Sequence, residues 1–355
     1  MRNGEFREKL IRRQSTLLEL LECRTQSGEP AAQHGFIMQG IEFLLDVKAL
    51  LCCPRCRSAL DLDHDPIRCT NTDCHYTRAG FPRASGQPVL IDFDRSIFDR
   101  AAYADDRGSV MKRDDTGRGM AVRLRRMLTG ANPVTPEKSR EMVIRLLQQA
   151  PNPLVLVIGG GAIGAGADPL YATGNIRVIG TDVYASANTD VVADGHFLPF
   201  QDAVFDGVWI QAVLEHVLDP STVVAEIHRV LKPGGVVYAD TPFIQQVHEQ
   251  AYDFTRFTLS GHRWLFRHFE EIDSGAVGGA GKALVWSIRY VALSLGLSTR
   301  LATLVALPFF WVRFIDRFAR PGPKSDAASG VYFFGRRSDR TLQAKDMLRY
   351  YEMKR

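Results

Sequence analysis

The amino-acid composition of this sequence is ordinary, and the features that it lacks exclude several classes of protein. The chain has 44 basic and 40 acidic residues, a net charge of +4 that is too weak to predict nucleic-acid binding by itself. It has no run of about 18 uncharged apolar residues, so no transmembrane helix is predicted. Internal repeats and low-complexity tracts are also missing. What remains is a globular chain of 355 residues, with room for one large domain and a small one.

Cysteine is scarce, and the N-terminus lacks the apolar core of a secretory signal peptide. Met1–Arg13 is charged throughout, and no apolar stretch of that kind follows it. We therefore expect a cytoplasmic protein in a reducing compartment. In such a compartment the six cysteines serve more often as metal ligands than as disulfides.

Two charged segments flank the cysteines. Residues 1–48 are predicted to be an N-terminal helical segment, because residues 5–23 carry leucine and isoleucine at helical spacing among charged residues. Such a helix would pack on its own protein or, as the alternative, act as a basic amphipathic anchor. Residues 94–135 are predicted to be a solvated linker, since acids interleave the bases there. The alternative is an RNA-contacting patch over Arg123–Arg126.

Four of the cysteines form two close pairs separated by a dozen residues. This spacing is typical of two knuckles that clamp one tetrahedral zinc ion through thiolates. Cys52 and His75 adjoin the pairs and are alternative ligands. Bound zinc would supply folding free energy to a module too small for a large core of its own. The predicted metal ligands are Cys53, Cys56, Cys69 and Cys74.

The cysteines lie in the segment LLCCPRCRSALDL…IRCTNTDCHY…GQPVLI, which resembles the Trm112-like zinc-ribbon family. The resemblance implies a small zinc ribbon over residues 49–93, a module that acts in the family as a methyltransferase partner. The chain departs from the family at the second knuckle, where four residues instead of two separate the cysteines.

A glycine-rich stretch between two apolar runs predicts a nucleoside-binding half-site. Leu154–Ile158 is an apolar run that ends in three glycines, and Ile176–Ile179 is a second run that ends near Asp182. In this order of strand, glycine turn, short helix, strand and acid, the backbone can approach a ligand closely and the carboxylate can accept ribose hydroxyls. The glycines, with Gly164 as the last, also satisfy the G-x-G-x-x-G pattern, which taken alone favours NAD.

The segment after this half-site continues the alternation of strands and helices. Val208–Ile210 is predicted to be a strand, and a helix is expected to begin with Asp219 as its N-cap and Pro220 at its first position. That helix is expected to stop at Gly234–Gly235, before another strand at Val236–Ala239.

The motifs ADGHFLPFQDAVFDGVW, VLEHVLDP and HRVLKPGG resemble the class I S-adenosylmethionine-dependent methyltransferases of the type 11, ubiquinone-biosynthesis-like group. The resemblance implies an α/β fold over residues 136–340: a Rossmann-like seven-stranded sheet with helices on both faces and an antiparallel last strand near Val331–Phe334. A helix with Thr135 as N-cap and Pro136 at its first position is expected to lead into this domain. Residues 341–355 are a tail.

The resemblance also implies where the cofactor lies, at the carboxyl ends of the strands. S-adenosylmethionine would pass the glycine turn, with its ribose hydroxyls on Asp182 and its adenine amino group on Asp194. The departures Val157, where the family has an acid, and Ile163, where it has a glycine, keep an NAD-dependent oxidoreductase open as an alternative. The predicted cofactor-binding residues are Gly159, Gly160, Gly161, Asp182, Val183, Asp194, Gly195 and Gln211.

Methyl transfer needs alignment of donor and acceptor more than it needs a strong base. A hydroxyl acceptor would require one, and the candidate general bases are His216 and His248. The stretch HEQAYDFTRFTLSGHRWLF looks like the acceptor-side cover of type 11 relatives associated with sugar and surface-polysaccharide pathways. The predicted acceptor is therefore a hydroxyl on a sugar or a lipid-linked glycan. RNA methylation, and a non-catalytic scaffold with the same fold, are further alternatives.

A hydrophobic insertion over residues 283–320 precedes the last strand. Arginines at 289, 300, 313 and 317 interrupt it about once every dozen residues. That is too often for a membrane span, but it suits helices that lie in a membrane interface with basic side chains at the headgroups. We expect peripheral attachment to the inner face of a membrane. A buried helical cap or an oligomer interface is the alternative.

Overall fold

The computed structural model describes residues 47–104, 132 and 134–354. The predicted N-terminal helix over residues 5–23 and the arginine patch over Arg123–Arg126 lie outside the described residues. The described part is built on one seven-stranded sheet, with two short two-stranded ribbons beside it.

The strands of the sheet are nearly all buried, and their order places the site. In chain order the strands are β1 (Leu60–Asp61), β2 (Arg68–Cys69), β3 (Arg83–Ala84), β4 (Gln87–Pro88), β5 (Leu154–Ile158), β6 (Arg177–Asp182), β7 (Val191–Val192), β8 (Phe205–Gln211), β9 (Leu231–Pro242), β10 (Phe269–Gly278) and β11 (Gly330–Arg337). The seven-stranded sheet has the order β10-β11-β9-β8-β5-β6-β7. Neighbours from β9 to β7 are parallel, and β11 runs antiparallel to β9 and β10. The predicted α/β sheet with a reversed last strand is confirmed.

Helices cover both faces of this sheet. In chain order the α-helices of the described residues are α1 (His75–Ala79), α2 (Ala101–Ala104), α3 (Val134–Gln149), α4 (Asp168–Ala172), α5 (Pro220–Val230), α6 (Leu259–Leu265), α7 (Ala280–Ser294), α8 (Thr299–Ala306), α9 (Pro321–Asp326) and α10 (Asp346–Met353). The 3₁₀ segments are Gly195–Phe197, Leu214–His216, Gln250–Tyr252 and Leu307–Arg317. Residues 47–50 are also helical.

The central strand β5 shows why the sheet is buried on both sides. Its side chains alternate between two cores: Leu156 joins the core that contains Ile227 of α5, and Val157 joins the core that contains Met142 of α3. A parallel strand covered by helices on both faces must be apolar at every position. All five residues of the predicted run are buried, as this packing requires.

The predicted N-cap is confirmed for α5 and wrong for α3. Asp219 caps α5 as expected, because its side chain accepts from the N–H groups of the next turn. Thr135 does not cap α3. The helix begins at Val134, and Asn132 Oδ1 accepts from its N–H at 3.0 Å. Thr135 is buried and instead donates to Asp240 on β9, at 3.2 Å.

The predicted boundary after α5 is also wrong. The helix ends at Val230, and β9 begins directly at Leu231, with the two glycines inside the strand. Leu231 has extended backbone geometry and is paired with Phe205 of β8. Gly234 has φ +75°, so it bends the strand where the pairing with β8 shifts register, instead of ending the helix.

The cysteine-bearing module packs on the β7 edge of the sheet. Val89 forms a parallel bridge with Val192, and the N–H of Leu90 donates to Val192 O at 2.8 Å. Leu51 forms an antiparallel bridge with Phe200. The module therefore covers the exposed edge of the sheet, and the chain that leaves it runs past the carboxyl ends of the strands.

The hydrophobic insertion forms α7, α8 and the 3₁₀ segment Leu307–Arg317, which pack around a small core of Val285 and Ala306. Asp316 fixes the unit to its own start, since its carboxylate accepts from the N–H groups of Gly279 and Gly281 at 3.1 and 2.8 Å. Over residues 47–104 and 134–354, no helix is long and apolar enough to cross a membrane.

Candidate functional site

The glycine turn after β5 ties the ends of neighbouring strands together. Gly159 has φ +76°, and a Cβ at this position would clash with the side chain of Val213, so only glycine fits without strain. The N–H groups of Gly159 and Gly160 both donate to Thr181 O at 2.9 Å. The turn is thereby held beside the end of β6.

Asp182 is the last residue of β6 and is 9% exposed. Its Oδ2 accepts from the N–H of Gly161 at 2.8 Å, and its Oδ1 accepts from the N–H of Val183 at 2.7 Å. A carboxylate has about four lone-pair positions, so two backbone donors do not saturate it. The predicted residues of the glycine turn, Asp182 and Val183 are therefore brought together in one place.

Asp194 lies two residues beyond β7 and is held from two sides. Its Oδ1 accepts from the N–H of His196 at 3.0 Å and lies 2.6 Å from Nδ1 of that ring, and Ser96 Oγ donates to its Oδ2 at 2.5 Å. Burial opposes ionisation, but the hydrogen bonds and charge of His196 hold the pKa of Asp194 below its usual range. The carboxylate also caps the 3₁₀ turn that begins at Gly195. An adenine amino group would share it with these donors.

Gln211 ends β8 and borders the far side of the glycine segment. Its Nε2 lies 3.4 Å from Ala165 O, and the indole N–H of Trp209 lies 3.4 Å from its Oε1. A Cβ on Gly164 would clash with the Gln211 side chain. Gln211 thus lies at the opposite end of the turn from Asp182, as expected for a residue near the methionine end of the cofactor.

The two candidate bases, His216 and His248, lie side by side with ring centroids 4.9 Å apart. His216 ends the 3₁₀ turn that follows Val213, so the pair is close to the glycine turn that Val213 contacts. Burial lowers the pKa of both histidines. Nδ1 of His216 lies 2.7 Å from Tyr252 O and must donate to it, which leaves Nε2 with its lone pair.

Glu215 lies between the two histidines, and the sequence analysis missed it. Its Oε1 is 3.7 Å from Nε2 of His216 and 3.8 Å from Nε2 of His248. The residue is 1% exposed, and burial raises its pKa to about 8. The signal was present as an acid directly before His216. However, neighbours in sequence do not normally face one point, and only the 3₁₀ turn makes them do so.

Asp253 and Arg256 fix the segment that carries His248. Arg256 Nη2 donates to Asp253 Oδ2 at 2.8 Å, and the N–H of His248 donates to the same oxygen at 2.9 Å. Burial would raise the pKa of Asp253, but the hydrogen bonds and charge of Arg256 lower it to about 2. The segment that carries His248 is therefore held in place by the ion pair of Asp253 and Arg256.

The segment that forms this site matches a known protein family. Residues 156–239, which hold the glycine turn, Asp182, Asp194 and Gln211, match the type 11 methyltransferase family, described as a methyltransferase domain. The chain contains a class I methyltransferase domain. Its seven-stranded sheet with the reversed β11 is the one that the resemblance implied.

The relatives of this methyltransferase domain match only part of the chain. A ubiquinone/menaquinone biosynthesis C-methyltransferase from Saccharophagus degradans is 35% identical over 104 residues, 29% of this chain and 38% of the relative. One of the same name from Citrobacter koseri is 32% identical over 118 residues, 32% of this chain and 43% of the relative. The chain thus spans less than half the length of these curated relatives.

Among solved structures, the phosphoethanolamine N-methyltransferase 2 of Haemonchus contortus in complex with S-adenosylmethionine overlaps this chain with a TM-score of 0.40. The two are 17% identical, and the overlap covers 61% of this chain and 57% of that one. A similarity at this level does not bear on the activity of the chain.

The segment after the cysteines contributes contacts to the methyltransferase domain that the sequence analysis missed. Ser96 holds Asp194, and Tyr103 OH donates to Val183 O at 2.8 Å. Phe98 stacks on Tyr252, with ring centroids 6.2 Å apart. The signal was the pair of aromatic residues Phe98 and Tyr103 in an otherwise charged stretch. Their partners, Tyr252 and Val183, are far away in the sequence, so only the fold reveals these contacts.

The four predicted zinc ligands converge in the module on the edge of the domain. Cys53 Sγ lies 3.8 Å from Cys74 Sγ, and Cys56 Sγ lies 3.4 Å from Cys69 Sγ. Four sulfurs at about 2.3 Å from one tetrahedral zinc ion lie about 3.8 Å apart, so the spacing fits that metal. The alternatives Cys52 and His75 do not belong to the cluster, whose members are Cys53, Cys56, Cys69 and Cys74.

Proposed function

We propose that this protein transfers a methyl group from S-adenosylmethionine to a hydroxyl on a sugar or lipid-linked glycan. The observation that carries the proposal is Asp182. It ends β6, accepts a hydrogen bond from the N–H of Gly161 in the glycine turn, and lies within the segment that matches the methyltransferase family. A carboxylate in this position accepts ribose hydroxyls, and the family match favours a methyl donor over a dinucleotide.

When bound, S-adenosylmethionine supplies an activated methyl group on a sulfonium ion. The residues of this chain would hold and align the reactants, which accounts for about 7–11 kcal/mol in well-oriented reactions. Asp182 and Asp194 would bind the ribose and adenine, Gln211 would border the methionine end, and the neutral ring of His216 or His248 would accept the proton that a hydroxyl acceptor must lose.

The lipid-linked character of the proposed acceptor is supported by contacts between the insertion and the acceptor side of the site. Tyr290 OH on α7 donates to Val247 O at 2.7 Å, and Gln246 Nε2 donates to Ser287 Oγ at 3.1 Å. The segment that carries His248 therefore rests on the insertion. A molecule anchored in a bilayer beneath the insertion would be close to the histidines.

A quinone ring is the second candidate acceptor. The curated relatives described above are ubiquinone/menaquinone biosynthesis C-methyltransferases. An acceptor screen with product mass and fragmentation separates the two, because O-methylation of a glycan and C-methylation of a ring give different fragments. We further propose that the cysteine cluster binds structural zinc, for which its sulfur spacing is suited.

The proposed donor is tested by calorimetric titration of the purified protein with S-adenosylhomocysteine and, separately, with NADH. We expect micromolar binding of S-adenosylhomocysteine and none of NADH. Binding of NADH alone would favour the oxidoreductase alternative. If folded protein bound neither ligand, the scaffold alternative would replace the enzyme.

We propose that the insertion docks on an anionic membrane surface. Its helices keep large apolar side chains at least half exposed, and arginines at 289, 300, 313, 317 and 320 accompany them, a combination suited to anionic headgroups. The side chains that are at least half exposed are Leu284, Val291, Leu295, Leu301, Leu304, Trp311, Ile315 and Phe318.

Replacing Leu295 and Phe318 together by aspartate is expected to weaken binding to phosphatidylglycerol vesicles at least about tenfold. Burial of each side chain is worth about 1.5–3 kcal/mol, and the new charges add repulsion. Vesicle co-sedimentation measures the effect. Leu348→Asp is the matched control, because Leu348 is 79% exposed but lies on α10, outside the insertion. Equal binding of the double variant and the wild type would refute the docking surface.

A further inference from the structure

The side chains of Glu215, His216 and His248 come together at one place in the structure. Within the described residues, neither carboxylate oxygen of Glu215 has a hydrogen-bond partner, and neither has Nε2 of His216. Glu215 is 1% exposed. A buried carboxylate without donors costs free energy, and a bound cation would offset that cost.

The ligand atoms of the three residues all lie within 4.8 Å of one another. Glu215 Oε1 is 3.7 Å from Nε2 of His216 and 3.8 Å from Nε2 of His248. Two ligands at about 2.1 Å from one ion lie about 3.0–3.4 Å apart, so small side-chain adjustments close this set around a metal. Two imidazoles and one carboxylate are the donors that divalent transition metals prefer.

His216 has the hydrogen-bond partner that a metal-binding histidine requires, and a carboxylate lies beside the ring of His248. Nδ1 of His216 donates to Tyr252 O at 2.7 Å, and Nδ1 of His248 lies 3.3 Å from Asp253 Oδ2. The hydrogen bond of His216 places its ring proton on Nδ1 and directs the lone pair of its Nε2 at Glu215. Nδ1 of His248 makes no hydrogen bond within the described residues, and the Asp253 carboxylate is the group beside it that would orient this ring on a metal ion. Arg256 holds that carboxylate in turn.

We infer that Glu215, His216 and His248 bind one divalent transition-metal ion, with coordination positions left open toward the acceptor. The remaining inference rests on the proposed function: the acceptor hydroxyl oxygen would bind the ion, which lowers the pKa of that hydroxyl. Its proton passes to solvent, because the Nε2 lone pairs of His216 and His248, which would accept it in the absence of a metal, are bound to the ion. The oxygen forms the new bond to the methyl carbon, and the electron pair of the broken carbon–sulfur bond stays on sulfur. The products are the methyl ether, S-adenosylhomocysteine and one proton.

The test is titration of the protein as isolated, with its thiolate cluster loaded, with Co²⁺ followed by visible absorption and calorimetry. We expect about one Co²⁺ per chain, without the intense charge-transfer absorption of cobalt thiolates. Glu215→Gln, which preserves the shape of the side chain, and His216→Ala are expected to lower the affinity for Co²⁺ at least about a hundredfold. Asp253→Asn, which leaves the three ligands in place and changes only the group beside His248, is expected to lower this affinity about 10- to 100-fold.

His268→Ala is the matched control. His268 faces His228 with ring centroids 6.1 Å apart, a histidine pair without a carboxylate between the rings, and its loss should leave Co²⁺ binding unchanged. Failure of the wild type to bind Co²⁺ or Zn²⁺, or full affinity in Glu215→Gln, would overturn the metal site. S-adenosylhomocysteine binding, measured in the same samples, reports folding of the variants. It also distinguishes a failed donor site from a failed metal site.

Discussion

Asp182→Ala is expected to lower the affinity for S-adenosylhomocysteine about 10- to 100-fold. A hydrogen bond to a charged group is worth about 1.5–3 kcal/mol, and the ribose would lose its charged acceptor. The substitution also releases the N–H of Gly161, which Asp182 Oδ2 holds at 2.8 Å, so the turn loses part of its preorganisation. Isothermal titration calorimetry measures both the affinity and the enthalpy that accompanies it.

Two further variants show whether a loss of affinity comes from the Asp182 carboxylate itself. Asp182→Asn keeps one acceptor oxygen and the shape of the side chain, so an intermediate loss is expected. Asp339→Ala removes an exposed carboxylate on a distant loop and should bind as the wild type does. An Asp182→Ala protein that is folded and retains full affinity for S-adenosylhomocysteine would contradict the proposed donor site.

Cys53→Ala is expected to abolish stoichiometric zinc binding and to lower the free energy of unfolding of the module by about 4 kcal/mol or more. Binding free energies of structural zinc are about 10–16 kcal/mol, and a small module without its metal has little core to replace them. Loss of zinc would also affect the seven-stranded sheet, because the module that holds the cysteines supplies the Val89 bridge to β7. Metal analysis and urea unfolding give the two readouts.

The matched control for Cys53→Ala is Cys52→Ala. Both residues are buried, at 0% and 2% exposure, and they are adjacent, yet only Cys53 belongs to the cluster. Cys52→Ala should therefore retain zinc and lose only about 1 kcal/mol, as is typical of an ordinary core substitution. If the two variants lost equal stability and both retained zinc, the cluster would be a packing feature and not a metal site.

Local patterns predicted the elements whose stability is decided by neighbours in sequence. The buried run of β5, the glycine turn and the Asp219 cap depend on backbone geometry and on side chains within a few residues, so their sequence signature is nearly complete. The boundaries at Thr135 and Leu231 were wrong for the opposite reason. Their long-range partners, Asp240 and Phe205, outweigh the local helix preference.

By itself, the sequence determined that this chain holds a nucleoside half-site, two cysteine knuckles and an amphipathic insertion. Each of these features can be predicted from the spacing or periodicity of residues that are close in the chain. Tertiary structure alone decided what these parts enclose. It brought Ser96 to Asp194 and turned the unpaired carboxylate of Glu215 toward His216 and His248. Such contacts depend on how helices and strands pack, and a linear pattern of residues does not record that packing.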